Sequence, residues 1–122
     1  MQPIPRLYFI TAAVFALLGM IWGIVMSATM DHTLSPAHGH LNLIGFVMIA
    51  VFGTYYALVP KATEGRLAVI HYGLTVLTVI VMVPGIVLAI NENGEILAKL
   101  GSVLAVLTML IFLYVVVRNR SD

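Results

Sequence analysis

The polar residues of this chain gather in short clusters, separated by apolar stretches too long for the core of a small soluble domain. Leu7 to about Met30 contains no charged residue, and further apolar runs span Pro36 to Val59, about Leu67 to Ile90, and Ile96 to Val117. Each exceeds the ~20 residues a helix needs to cross a bilayer core. A helix satisfies its backbone hydrogen bonds internally, as lipid demands. The pattern therefore predicts an all-α membrane protein: four transmembrane helices forming one domain over residues 1–122. The first run is too long for the apolar region of a signal peptide and lacks a convincing cleavage site, so it is expected to be a retained helix.

The clusters between the runs give the direction. Arg6, Lys61, Arg66, Arg118 and Arg120 fall on one side of an alternating four-span topology. Asp31, Glu92 and Glu95 fall on the other, with Lys99 just inside the last helix. The positive-inside rule then predicts cytoplasmic termini and an outward-facing Met30–His40 segment. A multi-pass protein of a bacterial inner membrane fits this arrangement.

Composition narrows the chemistry. Of 122 residues, 61% are apolar and 9% charged, against the usual ~45–50% and ~25%. A net charge of +1 without a basic run makes nucleic acid an unsuitable partner. With no cysteine, disulfides, thiolate metal sites and covalent C-x-x-C-H haem attachment are excluded. No Ser/His/Asp or paired-carboxylate arrangement suggests hydrolysis, and Glu92 and Glu95 are expected simply to solvate their loop. No charge lies deep in a span, as a proton pump or transporter usually requires. Gly19 and Gly23 form a G-x-x-x-G pair, read as intrachain helix packing in preference to a dimer seam. Pro84-Gly85 predicts a kink or local unwinding.

Three of the four histidines lie in one eleven-residue segment, Met30-Asp31-His32-Thr33-Leu34-Ser35-Pro36-Ala37-His38-Gly39-His40. Ser35 can cap the second helix, with Pro36 at its first position. Residues two apart on a helix differ by ~200°, so His38 and His40 are expected to face different sides. An imidazole one turn inside a span is costly and usually functional, which singles out His40. His71, with Tyr72 beside it and Arg66 nearby, is expected to hydrogen-bond water and headgroups at the opposite surface. Its depth differs from that of His40 by more than ~20 Å, so the two cannot hold one iron. A second axial ligand must then be His32, His38, Met30 or a histidine of another subunit. Tyr55 and Tyr56 are expected to be interfacial anchors.

The run His40-Leu41-Asn42-Leu43-Ile44-Gly45-Phe46, followed by Phe52-Gly53-Thr54-Tyr55-Tyr56-Ala57-Leu58-Val59-Pro60, resembles helix II of haem–copper oxidase subunit I. The likeness is strongest to the nitric oxide reductases and C-type oxidases, where a histidine in an H-x-N setting ligates the low-spin haem. Leu7 through Gly23 resembles that subunit's first helix, and Arg66 with Ile70-His71-Tyr72 the start of its third. The resemblance covers roughly the first 90 residues. It extends to small four-helix membrane proteins with an H-x-H-L-N helix. It implies haem b held by His40, or by its rival His38, with Asn42 and Gly45 beside it; Gly45 and Gly53 either make room for the ring or serve ordinary packing. The further histidines of the family's oxygen-reducing centre are missing, so a complete terminal oxidase is not implied. The family's pseudo-threefold symmetry suggests a homo-oligomer, either trimer or dimer.

The leading expectation is thus a haem b protein in electron transfer or diatomic-gas handling, with a respiratory-chain redox partner. A copper site of His32, His38 and His40 with Met30 or Asp31 is the alternative. A cofactor-free accessory or assembly subunit of a respiratory oxidase is the third.

Overall fold

A computed structural model describes residues 1–119. Arg120, which entered the topology argument, lies outside the described residues. Helix α1 is Pro3–Thr29, α2 Ser35–Leu58, α3 Leu67–Ile90 and α4 Ile96–Arg118. All four are long and apolar enough to cross a membrane, as the hydrophobic runs predict. Helix α1 begins four residues earlier than its apolar run, because Pro near the start suits a helical first turn and the Arg6 amide bonds the Gln2 carbonyl at 3.2 Å.

Tyr8 of α1, Tyr56 of α2 and Ala68 of α3 meet inside the bundle, and the Tyr55 hydroxyl donates to the Asn119 carbonyl at 3.3 Å. The start of α1, the end of α2, the start of α3 and the end of α4 therefore share one end, here the terminal end. The opposite, hairpin end carries the loops around Asp31 and Glu92.

Helices α1 and α2 pack along their length, as do α3 and α4. In the second pair the backbones nearly touch. A Cβ on Gly101 would lie 2.7 Å from Met82 Cα, and one on Gly85 2.6 Å from the Ala98 nitrogen. Neither obstacle can swing aside. Helix α3 runs through Pro84 as α-helix over Leu67–Ile90; the expected unwinding does not occur, because the adjoining Gly85 lets α3 lie flush against α4. Gly101→Ala should force the pair apart and cost about 2 kcal/mol, the scale of overpacking. Gly73→Ala, with open space around it, should leave the unfolding midpoint unchanged or slightly raised. Unfolding monitored by circular dichroism distinguishes them.

Helix α2 is not uniform. Its opening α-helical turn, Ser35–His40, gives way to π-helix over Leu41–Met48 and returns to α-helix over Ile49–Leu58. Such wide turns are rare and often sit at functional positions. Ser35 is already helical and caps nothing; Leu34 precedes the helix, with no side-chain cap. Asp31 orders this junction instead. Its Oδ1 accepts from the Thr33 amide at 3.0 Å and the Thr33 hydroxyl at 2.6 Å, the local turn Asp favours.

Candidate functional site

The hairpin end of α2 sends its two histidines in different directions, as helical spacing predicts. His38 points at α1. Its ring meets Trp22 edge-on, with centroids 5.9 Å apart, and a Cβ on Gly23 would come within 3.4 Å of it. Asn42, one turn on, offers its amide to His38 Nε2 at 3.4 Å and lies against Gly19. The G-x-x-x-G pair of α1 thus receives the His38–Asn42 pair of α2. Its use is intrachain. His38 Nδ1 is buried without a hydrogen-bond partner.

His40 faces away from the bundle and is exposed. Its Nδ1 stands 2.7 Å from the Pro36 carbonyl. A carbonyl accepts only, so Nδ1 carries a proton, and in the neutral tautomer Nε2 holds the lone pair. That is the tautomer in which histidines ligate metals, with the second nitrogen held by a backbone acceptor. An apolar groove of about 490 Å³ opens between α1 and α2, lined by Ala16, Met20, Gly39, Leu43 and Phe46 among others; it reaches the neighbouring Gly39, and His40 itself does not line it.

The remaining expected ligands do not converge on His40. Met30 ends α1 in the left-handed conformation, φ 57°, with its side chain exposed. His32 is exposed in the loop, and its carbonyl accepts from the Ser35 amide. The Asp31 carboxylate is engaged with Thr33. Among the described residues no three His, Asp or Glu side chains come within reach of one metal ion. Gly45 is buried against Phe15 and Gly53 against Tyr8, so both serve the α1–α2 contact.

The hydrogen bonds from Thr33 hold the Asp31 carboxyl below its ordinary value of 3.8. A lowered carboxylate pKa means the turn is favoured above the ordinary value and loses that support as pH falls through the lowered one. The Thr33 amide shift, followed by NMR against pH, should have its midpoint below 3.8.

The terminal end holds a second cluster that sequence reasoning misplaced. His71 is fully buried instead of facing headgroups. Its Nε2 donates to the Thr108 carbonyl at 3.0 Å, so Nδ1 accepts from the Tyr56 hydroxyl at 2.9 Å. Phe52 and Phe112 flank the ring, with centroids 4.5 and 6.3 Å away. Thr75 donates to the His71 carbonyl at 2.7 Å and pairs with the Thr108 hydroxyl. Tyr8 donates to the Ala68 carbonyl at 2.9 Å. Tyr56 is fully buried, not an interfacial anchor, because its hydroxyl has this partner inside; Tyr55 is half-buried. The signal was present in the third span. His71, Thr75 and Thr78 recur at helical spacing, a polar stripe that asks for partners inside.

No protein-family model matches this chain, and no curated protein or solved structure is found to be similar to it. The two clusters must therefore be weighed by their chemistry. The His71 cluster is closed, with every ring nitrogen satisfied and no exposed surface. His40 is open, exposed on α2 with its Nδ1 held by the Pro36 carbonyl.

Proposed function

We propose that this chain is a membrane haem b protein, related to haem–copper oxidase subunit I, that serves electron transfer or the handling of a diatomic gas. The observation that carries the reading is the Nδ1 contact of His40 with the Pro36 carbonyl, which leaves Nε2 bare on the exposed side of α2. The groove between α1 and α2, which reaches the neighbouring Gly39, supports the reading with its apolar lining of Leu43 and Phe46. Haem, when bound, supplies one-electron chemistry and an iron position for a small gas. The Pro36 carbonyl orients the imidazole. His38 and Asn42 pack the same turn against α1.

Topology belongs to the same reading. Arg6, Lys61, Arg66 and Arg118 at the terminal end support a cytoplasmic side there under the positive-inside rule, with His40 in the outer half of the membrane on this reading. The closed His71 cluster acts as a polar lock between α2, α3 and α4. It takes no part in ligation.

The test is optical. Protein purified in mild detergent should show a Soret band, and on dithionite reduction the alpha band of haem b. A colourless preparation containing stoichiometric copper would replace this reading with the copper one. A preparation with neither cofactor would leave the accessory-subunit reading.

A further inference from the structure

Among the described residues, Tyr56 is the one tyrosine whose hydroxyl meets a base, His71 Nδ1 at 2.9 Å. Tyr8 donates to the Ala68 carbonyl, Tyr55 to the Asn119 carbonyl, and Tyr72 pairs with the Thr11 hydroxyl. Tyr114 is exposed on α4. Carbonyls and hydroxyls hold a phenolic proton but do not take it; an imidazole does.

We propose that Tyr56 and His71 form a proton-coupled redox pair: Tyr56 gives one electron to a high-potential metal-complex oxidant while its proton passes to His71 Nδ1. The Tyr56 O–H bond breaks and an N–H bond forms at Nδ1. A neutral phenoxyl radical is left beside an imidazolium, the oxidant is reduced by one electron, and no proton leaves the protein.

The geometry suits each part of this step. Losing an electron alone would leave a charged phenol ring in an apolar interior, which is costly. The Nε2–H of neutral His71 is held by the Thr108 carbonyl, so Nδ1 turns its lone pair to the phenol. The imidazolium needs two acceptors, and both are already in place: the Thr108 carbonyl and the phenoxyl oxygen. The proton moves and no side chain has to follow it. Both residues are fully buried. Phe52 and Phe112 flank the imidazole, and the Tyr8 ring lies 5.2 Å from that of Tyr56, so the radical is shielded from water.

The electron has a way out. Tyr55, half-buried, stands edge-on to Tyr56 with centroids 6.1 Å apart and reaches Asn119 at the terminal end. Exposed Arg6, Lys61, Arg66 and Arg118 outnumber Glu64 there among the described residues. That end therefore favours an anionic oxidant. The pair stands apart from His40, at the opposite end of the bundle.

Hexachloroiridate(IV), an anionic one-electron oxidant, is the probe, and a chain without cysteine offers it no competing thiol. The full chain in mild detergent, mixed with it and freeze-quenched, should show a tyrosyl radical by electron paramagnetic resonance. With isotopically labelled histidine, double resonance should show that radical coupled to an imidazole nitrogen and its proton. Tyr56→Phe should abolish the signal, and Tyr114→Phe should leave it unchanged. His71→Gln keeps a hydrogen-bonding group but no base, and should slow reduction of the iridium by about a hundredfold. The proposal is overturned if no tyrosyl radical forms, if it persists in Tyr56→Phe, or if folded His71→Gln reacts as fast as wild type. A wild-type radical without histidine coupling also overturns it, and that measurement needs no variant to fold. None of these outcomes depends on haem, so this proposal and the haem reading fail separately.

Discussion

His40→Ala protein should fold and enter the membrane but retain almost no haem. The side chain is exposed and packs against nothing that its loss would collapse. Its one contact, to the Pro36 carbonyl, adds no link between helices. Haem content should fall by well over about tenfold, since losing merely an outer partner of a ligating histidine already costs that much. His38→Ala should behave in the opposite way. It removes a ring packed against Trp22 and Gly23 and strands the Asn42 amide. Stability should drop by about 1–2 kcal/mol while haem content per folded chain changes little. Haem assayed per folded protein, together with a thermal melt, separates ligand from packing residue.

The second large effect lies at the terminal end. His71→Phe should destabilise the bundle by about 2 kcal/mol, because it leaves the buried Tyr56 hydroxyl without its acceptor. His71→Ala should cost more, about 3 kcal/mol, since it also empties the slot between Phe52 and Phe112. The informative variant is the double one. In Tyr56→Phe/His71→Phe both polar partners are gone, and replacing a pair by apolar groups of similar shape is often close to neutral. The double variant should therefore recover most of what either single change loses. Haem content per folded chain should be unaffected in all of them, because His71 is enclosed at the far end of the bundle from His40. If His71→Phe removed haem while leaving the melt unchanged, the cluster would be a ligand site and not a lock.

The architecture was legible in the sequence because lipid leaves so few alternatives. Four runs of apolar residues can cross a bilayer only as helices or as a closed barrel, and their length selects helices. The directions of His38 and His40 were legible too, since they follow from helical geometry alone. What the sequence hid depends on neighbours. His71 lies near the start of its apolar run, where water and headgroups are the default partners. Its burial arises because Tyr56 and Thr108, distant in sequence, close over it. Gly85 beside Pro84 suggested a break, yet it serves as a contact surface for Ala98, a pairing no local pattern reveals. The π-helical stretch has no residue signature of its own. Leu41 to Met48 would suit an ordinary α-helix, so it cannot be inferred from propensity.

The Met30–His40 segment shows the same division. As a string it concentrates potential ligands. In three dimensions Met30 ends a helix, Asp31 holds a turn, His32 stays in the loop and His38 packs on glycine. His40 is exposed on the helix itself, with Nδ1 held by the Pro36 carbonyl.

Rescue of a His40→Gly variant by free imidazole tests that assignment most directly. The account predicts that this protein, supplied with haem, lacks the wild-type Soret spectrum and regains it on titration with imidazole. A wild-type spectrum without imidazole, or one that imidazole cannot restore, would contradict ligation by His40.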